Sequence, residues 1–561
     1  MNRSVAVPSP SSSREGPRRS TTNAFLLHSD CVQILHNISN TIPMRAIWIF
    51  CRCIQPKFLS CKPGYSTRWM AGALDDSSTR ELLPKSVSMT LNYVSELPVE
   101  LQIIILELSG PGTFIAMLSV VLGVLPVLLS KQLYEFCLRD TELDCSQAIY
   151  AEYITLRGQT YISNLSNKHD HGMSKVPTQA APRILAMSMD SFGIRRVSRV
   201  QEARDSRLLG DLWYRFEILP QKSGSMITLR RNPLVIDDVI LDRHNHRRFL
   251  WDSPMKPEII PHQWYDPSPE NSDCYGFKRV SLNGSVSGIA VSCGQGTNMS
   301  FHAIREGQRD ASIHVKTEVA AKQPLTWIYF PLAEGETICG VWVMTNYGGL
   351  ANVCVYTTLG RSRIFASFKE PWYRCGDRYQ CINSGADGSI TALYYDSLRL
   401  RSERSLRVGV VSSHDDVFDV PENPPWADCP IPEVCLQTDP EWFHSQASLR
   451  DVVSAETCED GLTGVCLGVL LRYRNGREET LGQWRFDQTV ATFEHDPCIR
   501  SMSYRIDRSK GKPRMRAVSF GACLADESSE GVSIQMQGHL IWWFSDYGGG
   551  FVVHLSDTGR D

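Results

Sequence analysis

The pattern of apolar and polar positions changes character twice along the chain. Up to about residue 90 no period is sustained. The run 9–22 is rich in Ser, Pro and Arg, and only Glu15 and Asp30 are acidic before Asp75. Such text has too little apolar surface to offset chain entropy and predicts a disordered tail over 1–90. Arg-rich, Ser-rich and acid-poor text is also how an organellar transit peptide reads, and Met89 makes a sensible initiator.

The first period is helical. Leu97, Leu101, Ile104, Ile105 and Leu108 recur at three- and four-residue spacing, one apolar stripe. Ser95 suits the N-cap, Pro98 an early helical position, and Glu100 the first turn, where a negative charge favours the exposed N–H groups. Pro111 and Gly112 end the helix. Residues 108–130 contain no charge over 23 positions, long enough for a membrane span. Pro111, Gly112, Gly123 and Pro126 interrupt it, and a buried helical hairpin is the other alternative. Residues 141–210 are more polar and predict a helical connector, with a helix over 147–156 and a loop over 164–177.

From about 210 the period becomes two. Val465, Leu467, Val469, Leu471 and Tyr473 share one strand face, Asn475-Gly476 is a hairpin turn, and a return strand follows over 478–486. A second hairpin over 353–365 turns at Leu359-Gly360. Further strands are predicted over 287–292, 300–304, 338–344, 390–395, 541–544 and 551–555. Residues 342–349 and 542–549 share Trp, Thr/Ser, Asn/Asp, Tyr, Gly and Gly in register, which suggests two related β modules. Between them, 415–441 holds eight acidic residues, six prolines and no Lys or Arg, the text of an extended linker.

The expected class is therefore an α+β multidomain chain: a small N-terminal helical motif, then a largely antiparallel all-β region built as a prism, sandwich or propeller. The expected divisions are 1–90 tail, 91–140 helical motif, 141–210 connector, 211–414 β-rich domain, 415–456 linker and 457–561 second β module. A length of 561 residues supports several domains, and 42 % hydrophobic with 21 % charged residues excludes wholesale disorder and a polytopic membrane protein. The net charge of −3 excludes a generally basic, nucleic-acid-seeking chain. The 18 cysteines are scattered, and no apolar signal region follows the N-terminal basic residues. Reduced, buried thiols in the cytoplasm or nucleus are expected. Cys51, Cys53 and Cys61 lack a fourth ligand, and His169 with His171 lacks carboxylate or thiol support, so no metal is expected. His244 and His246 read as a solvated basic turn. No Gly-x-Ser-x-Gly, Walker loop or His-Glu-x-x-His occurs, and Gly294-Gln-Gly296 is a turn, so neither an enzyme nor a cofactor is expected.

Leu97, Pro98, Glu100, Leu101, Ile105 and Leu106 match the opening of an F-box, and residues 91–140 resemble that family. The family's later acidic-Leu pair and Val-Ser/Cys-Lys/Arg stretch are absent. The resemblance implies a three-helix motif docking, through those six residues, on the adaptor subunit of a cullin–RING ubiquitin ligase. Residues 330–365 and 467–485 are similar to the β-rich regions of fungal F-box proteins, and faintly to jacalin-like β-prism lectins. The Gly-x-x-x-Asp sugar loop of the latter has no counterpart here. The aromatics Trp264, Tyr265, Trp426 and Trp442 fall in turn-rich text, and Trp372, Tyr373, Arg374, Arg378 and Tyr379 are the candidate target-binding loop. The expected function is a substrate-recruiting adaptor, partnered by the ligase adaptor and an unidentified protein target. The alternatives are a carbohydrate-binding β protein and a membrane-anchored protein.

Overall fold

The computed structural model describes residues 4–7, 25–28, five positions between 93 and 101, and most of 141–555. Within that last span it leaves out chiefly 202–211, 220–225, 241–247, 254–262, 267–273, 368–377, 398–405, 423–441 and 522–530. The described elements are almost entirely antiparallel strands. Ser312–Ala321 is the one complete α-helix among the described residues. Ser4–Val7 pairs with Phe25–His28 inside the predicted tail, where two short apolar runs satisfy each other's backbone groups. The chain divides into two compact units, Met1–Lys256 and Pro257–Asp561.

In the first unit the strands form a module of three sheets. Tyr150–Leu156 lies between Gln159–Ser166 and Ser174–Lys175. Ile184–Met189 lies between Ile194–Val200 and Trp213–Ile218, and Arg248–Trp251 joins beside the latter. Met226–Arg231 lies between Ile236–Ile240 and the much earlier Thr141–Asp144, so the third sheet closes the module with both of its ends.

The helical connector expected over 141–210 is thus corrected to strands. Around the predicted 147–156 helix, Tyr150, Tyr153, Ile154 and Thr155 favour extended backbone. Arg157-Gly158 supplies a two-residue connection, and hairpin pairing overrides the helix-permissive Ala151-Glu152.

The second unit repeats this connectivity twice. In the second module Val286–Gly294 lies between Thr297–Arg305 and Thr326–Pro331. Ile338–Thr345 lies between Ala351–Thr357 and Arg378–Ser384, with Ser362–Phe365 at the edge. Ile390–Asp396 lies between Cys274–Ser281 and Val408–Ser412, and Trp264–Tyr265 joins the latter. In the third module Val452–Glu459 lies between Cys466–Tyr473 and Thr489–Glu494, with Glu478–Gly482 at the edge. Ser501–Asp507 lies between Arg514–Gly521 and Val532–Gln535. His539–Ser545 lies between Trp442–Ser448 and Gly550–Leu555. In all three modules the central strand of the closing sheet lies between the strand that follows it in sequence and a much earlier one.

The six sheets of the second unit each turn one face into a contiguous apolar cluster. Val291, Val341 and Val408 represent the second module there, and Val469, Met502 and Trp542 the third. The predicted hairpin after 465 is present: Gly476 takes φ 81°, and its N–H donates to Tyr473 O at 2.9 Å. Its predicted face is only partly right. A bulge opposite Cys458/Glu459 inserts one residue, so Cys466, Val469, Leu471 and Tyr473 face the core while Leu467 joins Leu470 on the opposite side. Gly468 sits at this bulge, where a Cβ would lie 2.1 Å from Gln483 O.

The predicted linker is shorter than 415–456. Trp442–Ser448 and Val452–Glu459 are strands whose Trp442, Phe443, Val452 and Ala455 are buried. Before them, the Phe418 N–H donates to Gly385 O at 3.1 Å, and Val420 packs over Trp342 and Met344. The echo between 342–349 and 542–549 does not mark equivalent places. Trp342 lies on the far side of its sheet from the core, whereas Trp542 faces the core from a closing sheet.

Candidate functional site

A cleft of about 630 Å³ opens on the first module, lined by Tyr153, Gln159, Thr160, Pro177, Arg195, Arg196, Val197 and Leu212. Two edge strands supply most of it: Gln159–Ser166 from one sheet and Ile194–Val200 from the next. Each sheet carries a bulge here. One at Glu152/Tyr153 turns the Tyr153 ring outward, 40 % exposed. The other, opposite Ser188/Met189, gives the Arg195 strand an extra residue, so three consecutive residues line the cleft.

The two arginines have different roles. The Arg195 guanidinium is fully engaged: Nε donates to Thr160 O at 2.6 Å, Nη1 to Asp190 Oδ2 at 3.2 Å and Nη2 to Gln159 Oε1 at 2.5 Å. It also lies 4.9 Å from the Tyr161 ring centroid. Asp190 is held in turn by Tyr161 Oη at 2.8 Å and by the N–H groups of Phe192 and Gly193. This network ties the two sheets together at the cleft floor. Arg196 is exposed and, among the described residues, forms no ion pair. Its charge reaches the Tyr153 hydroxyl, whose pKa burial pushes up and Arg196 pulls down, for a net rise.

Beyond Val197 the edge of this strand is bridged by the chain's own backbone. Arg199 N–H donates to Pro177 O, and Gln179 N–H donates to Arg199 O, each at 2.9 Å, which makes a parallel bridge with Thr178. Strand alternation points the N–H and C=O of Val197, two residues earlier, to the same edge. Val197 itself is buried, so this stretch of the edge is not open to solvent. The cleft therefore offers an amide, an aromatic wall and one exposed guanidinium, which together can hold a ligand carrying a negative group.

A second polar assembly joins the second and third modules. Arg361 Nε donates to Glu336 Oε1 at 2.9 Å, and its Nη2 pairs with Oε2 of the same carboxylate. Its remaining donors reach Pro331 O at 2.7 Å and, across the junction, Glu478 O at 2.9 Å. Arg363 donates to Thr480 O at 3.0 Å and lies 5.5 Å from the Phe330 ring. Burial pushes its guanidinium down to about 10. Phe486 N–H donates to His314 Nε2 at 3.0 Å, and the His314 ring meets Trp327 edge-on at 4.3 Å. Burial is the main cause that pushes His314 down to about 4. These groups hold the modules in register around Trp327, Leu470 and Trp484.

The structure does not bring the sequence-predicted residues together into one site. Leu97 is half-buried, Pro98 is exposed, and Leu101 is 46 % exposed with its N–H donating to Pro98 O at 2.9 Å. Glu100, Ile105 and Leu106 lie outside the described residues, as does 108–130. Trp372, Tyr373, Arg374 and Trp426 do too. Arg378 and Tyr379 open the Arg378–Ser384 strand instead of a loop, with Tyr379 exposed and opposite Met344. Trp442 and Tyr265 are buried, and Trp264 packs edge-on against Phe277 at 4.4 Å. All three belong to closing-sheet strands: Tyr265 faces the apolar core, Trp442 packs with Ile541 and Trp543 on the far side of its sheet, and Trp264 is half-buried.

Among the described residues no group of three His, Cys, Asp or Glu converges on a metal-sized site, and no helix is long and apolar enough to cross a membrane. Cys145, Cys339, Cys354, Cys458 and Cys466 are reduced and buried. Burial pushes the thiols of Cys145 and Cys339 up to about 11 and those of Cys354 and Cys458 to about 12. No protein-family model matches the chain, and no curated protein matches it.

Proposed function

We propose that the chain is a non-catalytic recruiting adaptor. The F-box-like segment at 91–140 binds the adaptor subunit of a cullin–RING ubiquitin ligase, and the β modules hold a protein target. The observation that carries the target-binding half is the first-module cleft, where an exposed Arg196 and the outward Tyr153 ring stand on a floor that Arg195 ties across two sheets. The ligase-binding half rests on the Leu97, Pro98, Glu100, Leu101, Ile105 and Leu106 pattern. Tethering raises the effective concentration of the target and leaves the chemistry to a separate enzyme. We further propose that each module is a prism. Three sheets per module favour it over a sandwich, which has two, and over propeller blades of four strands each.

Co-expression of the full chain with the ligase adaptor, followed by size-exclusion chromatography, tests the first half. A one-to-one complex is expected. Leu101→Asp with Ile105→Asp removes two large aliphatics, each contributing roughly 1.5–3 kcal/mol when fully buried, and should abolish co-purification while leaving the β modules folded. Unchanged co-purification of that variant would remove the F-box reading.

The prism architecture also favours a second reading, carbohydrate binding. The closing turn of the third module ends in Gly549-Gly550, but the residues four positions on are Val553 and His554, not Asp. Sugar would have to be held by other residues, and glycan-array binding by the full chain is the measurement that would bring this reading forward.

A further inference from the structure

We propose that residues 416–422 are a releasable strap seated in a docking socket on the outer face of the second module, and that an extended segment of a partner protein, anchored by a Val or Ile, takes its place there. The socket belongs to a different module from the cleft, and it stands or falls independently of the ligase reading.

Two glycines and an indole build the socket. Gly340, in the Ile338–Thr345 strand, is opposite Tyr356 on one side and Ser384 on the other, and Gly385 follows Ser384. A Cβ on Gly340 would lie 2.7 Å from Val420 Cγ1, and a Cβ on Gly385 2.5 Å from Val420 Cγ2. The two Val420 methyl groups thus fill the space that two absent side chains leave. A glycine in or beside a strand often marks such a close approach. Trp342, Met344, Cys354 and Ile364 form the apolar floor, and Tyr356 meets the Trp342 ring edge-on.

The occupant is lightly held. Residues 416–422 belong to no sheet. Asp416, Val417, Asp419, Pro421 and Glu422 are exposed, while Phe418 and Val420 are half-buried. The Phe418 N–H supplies a backbone tie, to Gly385 O at 3.1 Å. A segment with few buried contacts opens at low free energy. Beneath it, Trp342 Nε1 is buried and has no hydrogen-bond partner among the described residues, so the strap seals this face without satisfying it. The strap also displays the chemistry of what can replace it: extended backbone, a β-branched aliphatic in the socket and an aromatic two residues earlier. Because it is tethered, it competes at an effective concentration on the order of millimolar. A free segment therefore binds better as that competitor weakens.

The test uses the full chain and a peptide of residues 415–423, acetylated and amidated at its ends. Val420→Ser in the chain removes the tethered anchor and leaves the socket intact. The peptide should bind this variant about tenfold or more tighter than the unaltered chain, the effect of one aliphatic anchor lost by the competitor. Val420→Ile in the peptide should keep that binding, and Val420→Ser or Val420→Lys in the peptide should lose it. Gly340→Ala closes the socket and should take no peptide. Alkylation of Cys354, located by mass spectrometry, reads the strap itself. Burial pushes that thiol up to about 12, so it reacts slowly while covered. Val420→Ser and Gly340→Ala should each speed it by about tenfold, the effect of a pKa lower by about one unit. Cys458, buried in the third module with its thiol also near 12, should keep its rate. Equal peptide affinity for the unaltered and Val420→Ser chains, or capture by Gly340→Ala, would overturn the proposal. So would an unchanged Cys354 rate, or a rise shared with Cys458, which would mean general loosening of the fold. A dimer of the chain that Val420→Ser dissolves would also overturn it, because the socket would then serve a second copy.

Discussion

Replacing Arg361 with Met should be the most damaging single change at the junction of the second and third modules. Glu336 has a side chain with no solvent exposure, and Arg361 supplies most of its compensation. Removing one partner of a buried ion pair costs about 3–5 kcal/mol, because the other charge is left buried. Arg361→Met also strips the carbonyls of Pro331 and Glu478 of a donor, at about 1 kcal/mol each. The total, about 5–7 kcal/mol, rivals the whole stability of a typical domain. The sign of a second change makes the argument testable. Glu336→Gln alone should destabilise, since it weakens the contacts with Arg361. In the Arg361→Met background it should stabilise, by about 2 kcal/mol or more, because it removes a stranded charge while the amide oxygen still accepts from the Ala333 N–H and the amide NH2 can donate to the Thr357 hydroxyl. Urea unfolding followed by tryptophan fluorescence reads both, with Trp327 and Trp484 at the junction as reporters. If Glu336→Gln costs the same in both backgrounds, the pair is not coupled and the reasoning fails. The pH dependence follows the same logic. Burial raises the Glu336 pKa, but hydrogen bonds from Arg361, Thr357 and Ala333 outweigh it and hold the carboxyl below its usual value of 4.5. Its contribution is therefore present above that value and lost as pH falls through the lower, folded one. In Arg361→Met only the Thr357 and Ala333 hydrogen bonds still oppose burial, so the Glu336 pKa rises and the variant's deficit should shrink on acidification.

His314 gives a second pH window. Its folded pKa of about 4 lies below the ordinary 6.5, chiefly through burial, with Arg485 and His302 adding to the fall and Asp487 and Asp310 opposing it. The unfolded chain thus binds the extra proton first, and stability should decline as pH falls from about 6.5 to about 4. His314→Gln, which keeps an acceptor for the Phe486 N–H, should flatten that part of the pH–stability profile, and an unchanged slope would refute the assignment. Gly468→Ala places a methyl group 2.1 Å from Gln483 O and should cost about 3 kcal/mol or more in the same unfolding assay. A neutral result would mean that the bulge at Leu467 relaxes freely.

Local signals in the sequence were sufficient where a hairpin is self-contained. Asn475-Gly476 between two alternating runs fixes the Cys466–Tyr473 and Glu478–Gly482 pair, and Leu359-Gly360 the Ala351–Thr357 and Ser362–Phe365 pair. Faces were less legible, because the bulge that moves Leu467 out of the core depends on the opposite strand. The Tyr150–Leu156 strand was missed because its pattern fits a helix and a strand equally well until its partner is known. The three-module plan is invisible for the same reason on a larger scale: Thr141–Asp144 finds Met226–Arg231 across 81 intervening residues, and no local text records that pairing. The cleft shares this origin. Arg195 and Arg196 sit in text that predicts a polar connector, and only the meeting of two sheets gives one a structural role and leaves the other exposed.

The closing sheets also bear on how the protein is made. Cys274–Ser281 emerges from the ribosome long before Ile390–Asp396, the strand it must pair with. At about 5–20 residues per second, the 108 residues between them take roughly 5–20 s to synthesise. During that time the early strand is an unsatisfied edge, open to capture by a nascent neighbour. Closing strands with the same connectivity in all three modules add a specific hazard: a late strand from one module can complete another. Slow, ordered translation and chaperone cover over the early strands are therefore conditions of correct assembly, and rapid overexpression should yield strand-exchanged aggregates before it yields unfolded chains.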